Sequence, residues 1–184
     1  LKDAGQAFDE ARLDELISRK ARRYVEVADK GLRYFPHAAE TLAALADRWP
    51  IAICSGALRA EIEYILKVLN RRDRVAVIVA AEDAEKCKPD PAGYLQALDA
   101  LRDYLQASRG EPVALSGANC VVIEDSLAGI VSAKGAGMWA VGITQTYKAD
   151  ELIDAGADAT IDSLAEFTPD WINATFSRAA QPTR

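Results

Sequence analysis

Short aliphatic runs alternate along this chain with longer stretches in which apolar residues recur every three or four positions. The runs are Ile51-Ala52-Ile53-Cys54, Val75 to Ala80, Cys120 to Ile123, Trp139 to Ile143 and Ala157 to Ile161. The first four are short and almost continuously apolar, which predicts buried strands rather than ones with a wet face, and the last is a short, mixed run that reads as one more strand. The periodic stretches predict helices. One covers residues 8–34, with Leu13, Leu16, Ile17, Tyr24 and Val27 as a rough stripe. Pro36 is placed to open the next, which runs to about Asp47 with Leu42 and Leu45 inward. Ile62, Ile65, Leu66 and Leu69 mark a third, after Ser55-Gly56. A fourth follows Lys88-Pro89-Asp90-Pro91 and carries Tyr94, Leu95, Leu98 and Leu101. Another reaches about Ala136, and Asp150 caps a short one. Residues 108–119 predict a polar loop longer than most connections. Strand and helix in alternation predict an α/β fold, a Rossmann-like parallel sheet with helices on both faces. Ligand sites in such sheets lie off the carboxyl ends of the strands.

Chemistry gathers at those ends. Val121-Val122-Ile123 runs straight into Glu124-Asp125-Ser126. Carboxylates at the end of a core strand are costly unless paired, metal-bound or well solvated. Period-two geometry points Glu124 and Asp125 to opposite sides. One can then bind a divalent cation while the other holds a metal-bound water. The plainer alternative is a helix cap at Asp125 or Ser126 with Glu124 paired to a lysine. Ser55 ends another strand, where its hydroxyl and the N–H groups of Gly56 and Ala57 can dock an anion; a simple helix cap is the alternative. Lys88 precedes Pro89 and is held extended. It reaches a phosphoryl group or a carboxylate, or it is a solvated loop lysine, as Lys86 reads.

Composition narrows the partners. Half of the 184 residues are apolar, enough for one domain or a domain with a small accessory piece. No apolar run approaches the roughly eighteen residues of a membrane span. The polar first residues hold no signal-type hydrophobic run, and no initiator Met is present, so the start is expected to have been removed or to lie upstream. A net charge of -6 argues against nucleic acid or an anionic membrane as partner. Cys54, Cys87 and Cys120 lack metal-type spacing and predict a reducing, cytoplasmic compartment without a structural disulfide. His37 is the single histidine, which excludes a histidine cluster. Trp49, Trp139 and Trp171 read as packing, and Arg22-Arg23 and Arg71-Arg72 as solvated faces. Oligomeric state is not legible.

The order of these motifs is more specific than any one of them. Strand-Ser-Gly, then Lys-Pro-x-Pro-helix, then Ile-Glu-Asp-Ser-Leu-Ala-Gly-Ile ending in Gly-Ala-Gly-Met, resembles the haloacid dehalogenase superfamily of phosphohydrolases, in the branch of β-phosphoglucomutase and phosphoglycolate phosphatase. The resemblance covers roughly Arg19 to Ile161. It implies a Mg²⁺-dependent phosphatase for a small phosphorylated metabolite, working through an aspartyl-phosphate. It implies that Ser55 and Gly56 bind the phosphoryl group, that Lys88 neutralises its charge, and that Asp125 ligates Mg²⁺ with Glu124 bound directly or through water. A sugar-phosphate phosphomutase, or a degenerate non-catalytic binding module, is the alternative.

One family element is absent. The nucleophile is the first aspartate of an Asp-x-Asp motif at the end of a first strand, and this sequence contains no Asp-x-Asp. The resemblance therefore implies a core missing its first central strand, which lies between the strands ending at Ser55 and Asp125. It divides the chain into a remnant of a helical cap over 1–35, a core over 36–178 and a frayed tail over 179–184. The chain is expected to be an inactive fragment of a longer enzyme. Cys87 stands where the family usually has glycine, and the 108–119 loop reads as an insertion.

Overall fold

The computed structural model describes residues 34–176, together with residues 12, 15, 16, 18–20, 22, 23 and 26. The chain divides into two compact units, Leu1–Tyr34 and Phe35–Arg184. The described residues of the first, Tyr34 apart, are helical, carry exposed ion pairs such as Arg12–Glu15 and Arg23–Glu26, and include an exposed Leu16. Leu13, Ile17, Tyr24 and Val27 of the expected stripe lie outside the described residues, as does the expected tail past Arg178.

In the second unit, strand and helix alternate as the pattern predicts. The order is α1 (Ala38–Ala46), β1 (Ala52–Cys54), α2 (Arg59–Val68), β2 (Val77–Val79), α3 (Ala92–Arg109), β3 (Val121–Glu124), α4 (Leu127–Gly135), β4 (Trp139–Ile143), α5 (Ala149–Asp154), β5 (Ala159–Ile161) and α6 (Pro169–Phe176). All strand pairing is parallel. The strands form two sheets, β1-β2 and β3-β4-β5. Ile53 pairs with Ile78, Glu124 with Gly142 and Ile143 with Ile161.

Side chains leave each strand alternately to two faces, which is why helices cover both. From β4, Ala140 joins a core with Tyr94, Ile130, Met138 and Leu152. Val141 and Ile143 point the other way, to Leu45, Ile161 and Phe167. Gly142 is required between them, because a Cβ there would sit 2.9 Å from the Leu152 Cβ. A third core lies under α2, around Ile62, Leu66 and Ile78.

Burial follows each strand's place in its sheet. In β4, Ala140 and Val141 are fully buried, whereas β1 and Val121–Ile123 of β3 are only half-buried. Among the described residues, β1 pairs with β2 alone and β3 with β4 alone. A seam therefore runs between β1 and β3, with a backbone edge unpaired on each side.

Several boundaries differ from the sequence reading. The polar stretch from 108 is helix up to Arg109, and α3 stops where Gly110 takes a left-handed φ of 73° and donates to the Gln106 carbonyl. The rest of that loop contains a 3-10 turn at Gly117–Asn119. Pro36 does not open α1; His37 stands in between, at φ 66°. Lys148, not Asp150, precedes α5, with Asp150 inside its first turn. Trp49 is exposed rather than packed. Arg71 is not simply solvated, since its Nε donates to the Ala39 carbonyl at 2.9 Å. Helix α6 escaped the periodicity reading. Its anchors are aromatic: Trp171 lies 5.8 Å from Phe167, and Phe176 lies 5.4 Å from Trp139.

Leu152 is the fully buried anchor of α5 against β4. Leu152→Ala is expected to lower the unfolding free energy by about 2–5 kcal/mol in urea denaturation. A loss below about 1 kcal/mol would show that the site collapses around the truncation.

Candidate functional site

The site is built where the ends of β1 and β3 meet the loop after β2. Lys88 lies in that loop, before Pro89, and its side chain turns inward. The ammonium donates to the Cys54 carbonyl at 3.1 Å, to the Tyr94 hydroxyl at 3.3 Å and to Glu124 Oε1. It also sits 4.9 Å from the centroid of the Tyr94 ring. One lysine thereby touches the last residue of β1, the last residue of β3 and the first turn of α3.

Glu124 is buried. Its Oε1 accepts from Lys88 and from the Tyr94 hydroxyl, and its Oε2 accepts from Ser126 Oγ at 3.1 Å. Ser126 in turn caps α4 by accepting from the Gly129 N–H at 3.0 Å. Gly129 leaves the space that the carboxylate fills; a Cβ there would overlap Glu124. For Glu124 and Ser126 the geometry is that of the plainer alternative, a lysine pair beside a helix cap. Asp125 departs on the other side, as period-two geometry requires, and accepts from Thr146 Oγ1 at 2.9 Å.

Ser55 does not take the helix-cap alternative. Helix α2 begins four residues later, with Leu58 preceding it, so Ser55 is not its cap. The Ser55 hydroxyl instead accepts from the Ala57 N–H at 3.1 Å, closing a local turn. That N–H is engaged within the loop. The Ser55 N–H continues the strand pairing to the Val79 carbonyl. The structure thus joins Lys88 directly to Glu124. Ser55, Gly56 and Asp125 are sequence neighbours of residues that Lys88 touches and make no hydrogen bond to it.

Two further features were not singled out from the sequence. Tyr94 read as a core residue of α3, and its ring is buried, but its hydroxyl is part of the site. The available signal was the phenol itself, because a tyrosine in a core stripe needs a hydrogen-bond partner. Burial and the neighbouring Glu124 charge both push its ionisation far up, so it is a neutral donor. Arg59 ties the two neighbouring loops together. Its guanidinium donates to the Ile78 carbonyl and pairs with Asp83 at 2.5 Å. The Ala80 N–H, and then Arg59, hold the Asp83 carboxyl below the usual range. Lys86 is exposed but pairs with Asp90 at 3.3 Å.

Among the described residues, no group of three His, Cys, Asp or Glu side chains could hold a metal ion. Mg²⁺ does not need such a cage, since it commonly takes one or two carboxylates plus waters and substrate oxygens. Asp125 fits that requirement as a carboxylate at the strand end. Glu124, with both oxygens hydrogen-bonded, fits as a holder of metal-bound water.

These motifs and this geometry agree with what the chain resembles. The sequence matches the haloacid dehalogenase-like hydrolase family over residues 1–137. The chain belongs to that family. It is 32% identical over 127 residues to 2-deoxyglucose-6-phosphate phosphatase 2 of Saccharomyces cerevisiae, covering 69% of this chain and 50% of the yeast protein. It is 29% identical over 150 residues to phosphoglycolate phosphatase of Escherichia coli K12, covering 80% of this chain and 55% of that enzyme. The β-phosphoglucomutase of Clostridium difficile has the same fold, with a TM-score of 0.73 at 22% identity over 94% of this chain and 70% of that one. The chain spans about half the length of the curated relatives it matches. Among the described residues, no helix is long and apolar enough to cross a membrane.

Two measurements test the local packing. Gly129→Ala is expected to cost about 1–3 kcal/mol in denaturant unfolding, because the methyl overlaps a buried carboxylate; unchanged stability would mean that Glu124 moves aside freely. Thiol labelling tests the second point. Cys87 is exposed, while burial pushes the Cys54 and Cys120 thiols up. A raised pKa means less thiolate at a given pH, so Cys87 is expected to react first and Cys54 to catch up only as pH rises. Equal rates at neutral pH would contradict the burial of Cys54.

Proposed function

We propose that this chain carries the phosphate- and magnesium-binding side of a phosphohydrolase acting on a small phosphorylated metabolite. The observation that supports it most is the Lys88 ammonium, fixed between the carboxyl ends of β1 and β3. Phosphoryl transfer needs alignment and charge neutralisation above all. Lys88 supplies a fixed positive charge. Ser55 and Gly56, one and two residues past Cys54, lie at the same strand end, where they would receive the phosphoryl group. Asp125 would hold Mg²⁺, with Glu124 contributing through water. When bound, the ion supplies charge neutralisation for phosphoryl oxygens. The three free thiols are consistent with a reducing, cytoplasmic setting.

This chain alone is proposed to be inactive. Covalent phosphoryl transfer needs a nucleophile, and the sequence has no Asp-x-Asp. The seam between β1 and β3 is where a strand bearing that aspartate would sit in the parent protein. Its carboxyl end would come out beside Lys88. Residues 1–35 would then be the remnant of the cap.

The 184-residue chain is expected to show no turnover of p-nitrophenyl phosphate with Mg²⁺. A chain extended by upstream coding sequence that supplies an apolar run and an Asp-x-Asp is expected to gain it. In that longer protein, Lys88→Ala should lower turnover about 10²–10³-fold. Turnover by the short chain that Asp125→Ala abolishes would sink the fragment reading. Unchanged kinetics for Lys88→Ala would remove Lys88 from the site.

A further inference from the structure

An ammonium has three N–H bonds, and all three on Lys88 have acceptors: the Cys54 carbonyl, Glu124 and the Tyr94 hydroxyl. No donor is left over for an incoming anion. The three contacts are not equivalent. Glu124 is charged and buried, and Cys54 lies in a strand, so neither is readily replaced. The Tyr94 contact is the longest, at 3.3 Å, and ends on a neutral oxygen. The same hydroxyl gives its one proton to Glu124. Tyr94 therefore bonds both members of the ion pair, and its ring backs the ammonium. A phenylalanine would fill the same volume in α3 and pack against the same neighbours. The hydroxyl is the part that packing does not explain.

We infer that Tyr94 is a positioning residue: its hydroxyl holds the Lys88–Glu124 pair in register and is the acceptor that Lys88 gives up when a phosphate oxygen arrives. The purpose of this exchange rests on the phosphate-site reading above, whereas the holding contact rests on the geometry alone.

The two parts separate in one experiment on the full 184-residue chain. Heteronuclear NMR follows proton exchange of the lysine ammonium groups, with Lys88→Arg assigning the Lys88 signal and exposed Lys86 as the internal reference. Lys88 is expected to exchange slowly and Lys86 fast. Tyr94→Phe keeps the ring and the cation–π contact. It is expected to speed Lys88 exchange about tenfold and to lower the melting temperature modestly, while leaving the other lysine signals in place. Inorganic phosphate with Mg²⁺ should then restore slow exchange in the variant, because a phosphate oxygen takes the vacated place. A Lys88 signal as fast as Lys86 in the unsubstituted chain, or unaltered by Tyr94→Phe, overturns the inference. Phosphate that binds the unsubstituted chain by phosphorus NMR without slowing Lys88 in the variant overturns the exchange of acceptors. Phosphate that does not bind at all overturns the anion-site reading, and the holding role then stands on the exchange rates of the free protein.

Discussion

The contact between Lys88 and Glu124 bridges a seam that no backbone hydrogen bond crosses among the described residues. Lys88 comes from the loop after β2 and belongs to the β1-β2 side. Glu124 ends β3 and belongs to the other sheet. A half-buried ion pair is weak evidence for stability by itself, because desolvation opposes the attraction. This pair is different in its satisfaction. The carboxylate has three donors and the ammonium three acceptors, drawn from β1, α3 and the α4 cap. Removing either partner would leave a buried charge beside an unpaired strand edge. The site is therefore also the join, and a change at Lys88 is felt by both sheets.

The seam explains a burial pattern that hydrophobicity alone does not predict. Ile51 to Cys54 and Val121 to Ile123 are as aliphatic as any segment of the chain, yet they are only half-buried. Strand β4 is buried on both faces. Aliphatic residues on both faces of β1 and β3 are suited to a sheet interior, and that suitability is unmet here.

Periodicity made the alternation of elements legible, because short apolar runs and period-four stretches differ so plainly. Trp139–Ile143 is a strand over its full expected span. What periodicity missed has local causes. Helix α3 runs on to Arg109 because Gln106, Ser108 and Arg109 are tolerable on an exposed helical face, and only Gly110 stops it. Helix α6 is held by a cluster of aromatic rings rather than by an aliphatic stripe. At the site, Lys88 and Glu124 were legible because a charge at a strand end needs a reason. Tyr94 was not, because its ring satisfies the apolar stripe and hides the hydroxyl. Thr146 was invisible, since nothing in a polar loop marks which hydroxyl will meet Asp125. Ser55 does not cap α2, although a serine after a strand suits a cap equally well in sequence, and a turn closed on Ala57 leaves no trace there.

The two adjacent carboxylates end up with different tasks, and strand geometry is the cause. Consecutive side chains along a strand leave on opposite sides, and Asp125 directly follows the last residue of β3. Glu124 falls toward α3 and α4, where Gly129 leaves room, and is enclosed by donors. Asp125 falls toward the loop after β4 and keeps a single neutral hydroxyl donor. Two carboxylates that face one cavity repel. Turning one toward a lysine removes much of that repulsion, while the other accepts from the Thr146 hydroxyl. The site proposed above for a phosphate and a cation would need both signs of charge close together without their collapsing into one pair. The alternation of a β-strand provides that separation at no cost in chain length. It also requires the acidic residues to be consecutive and not two apart, as Glu124 and Asp125 are.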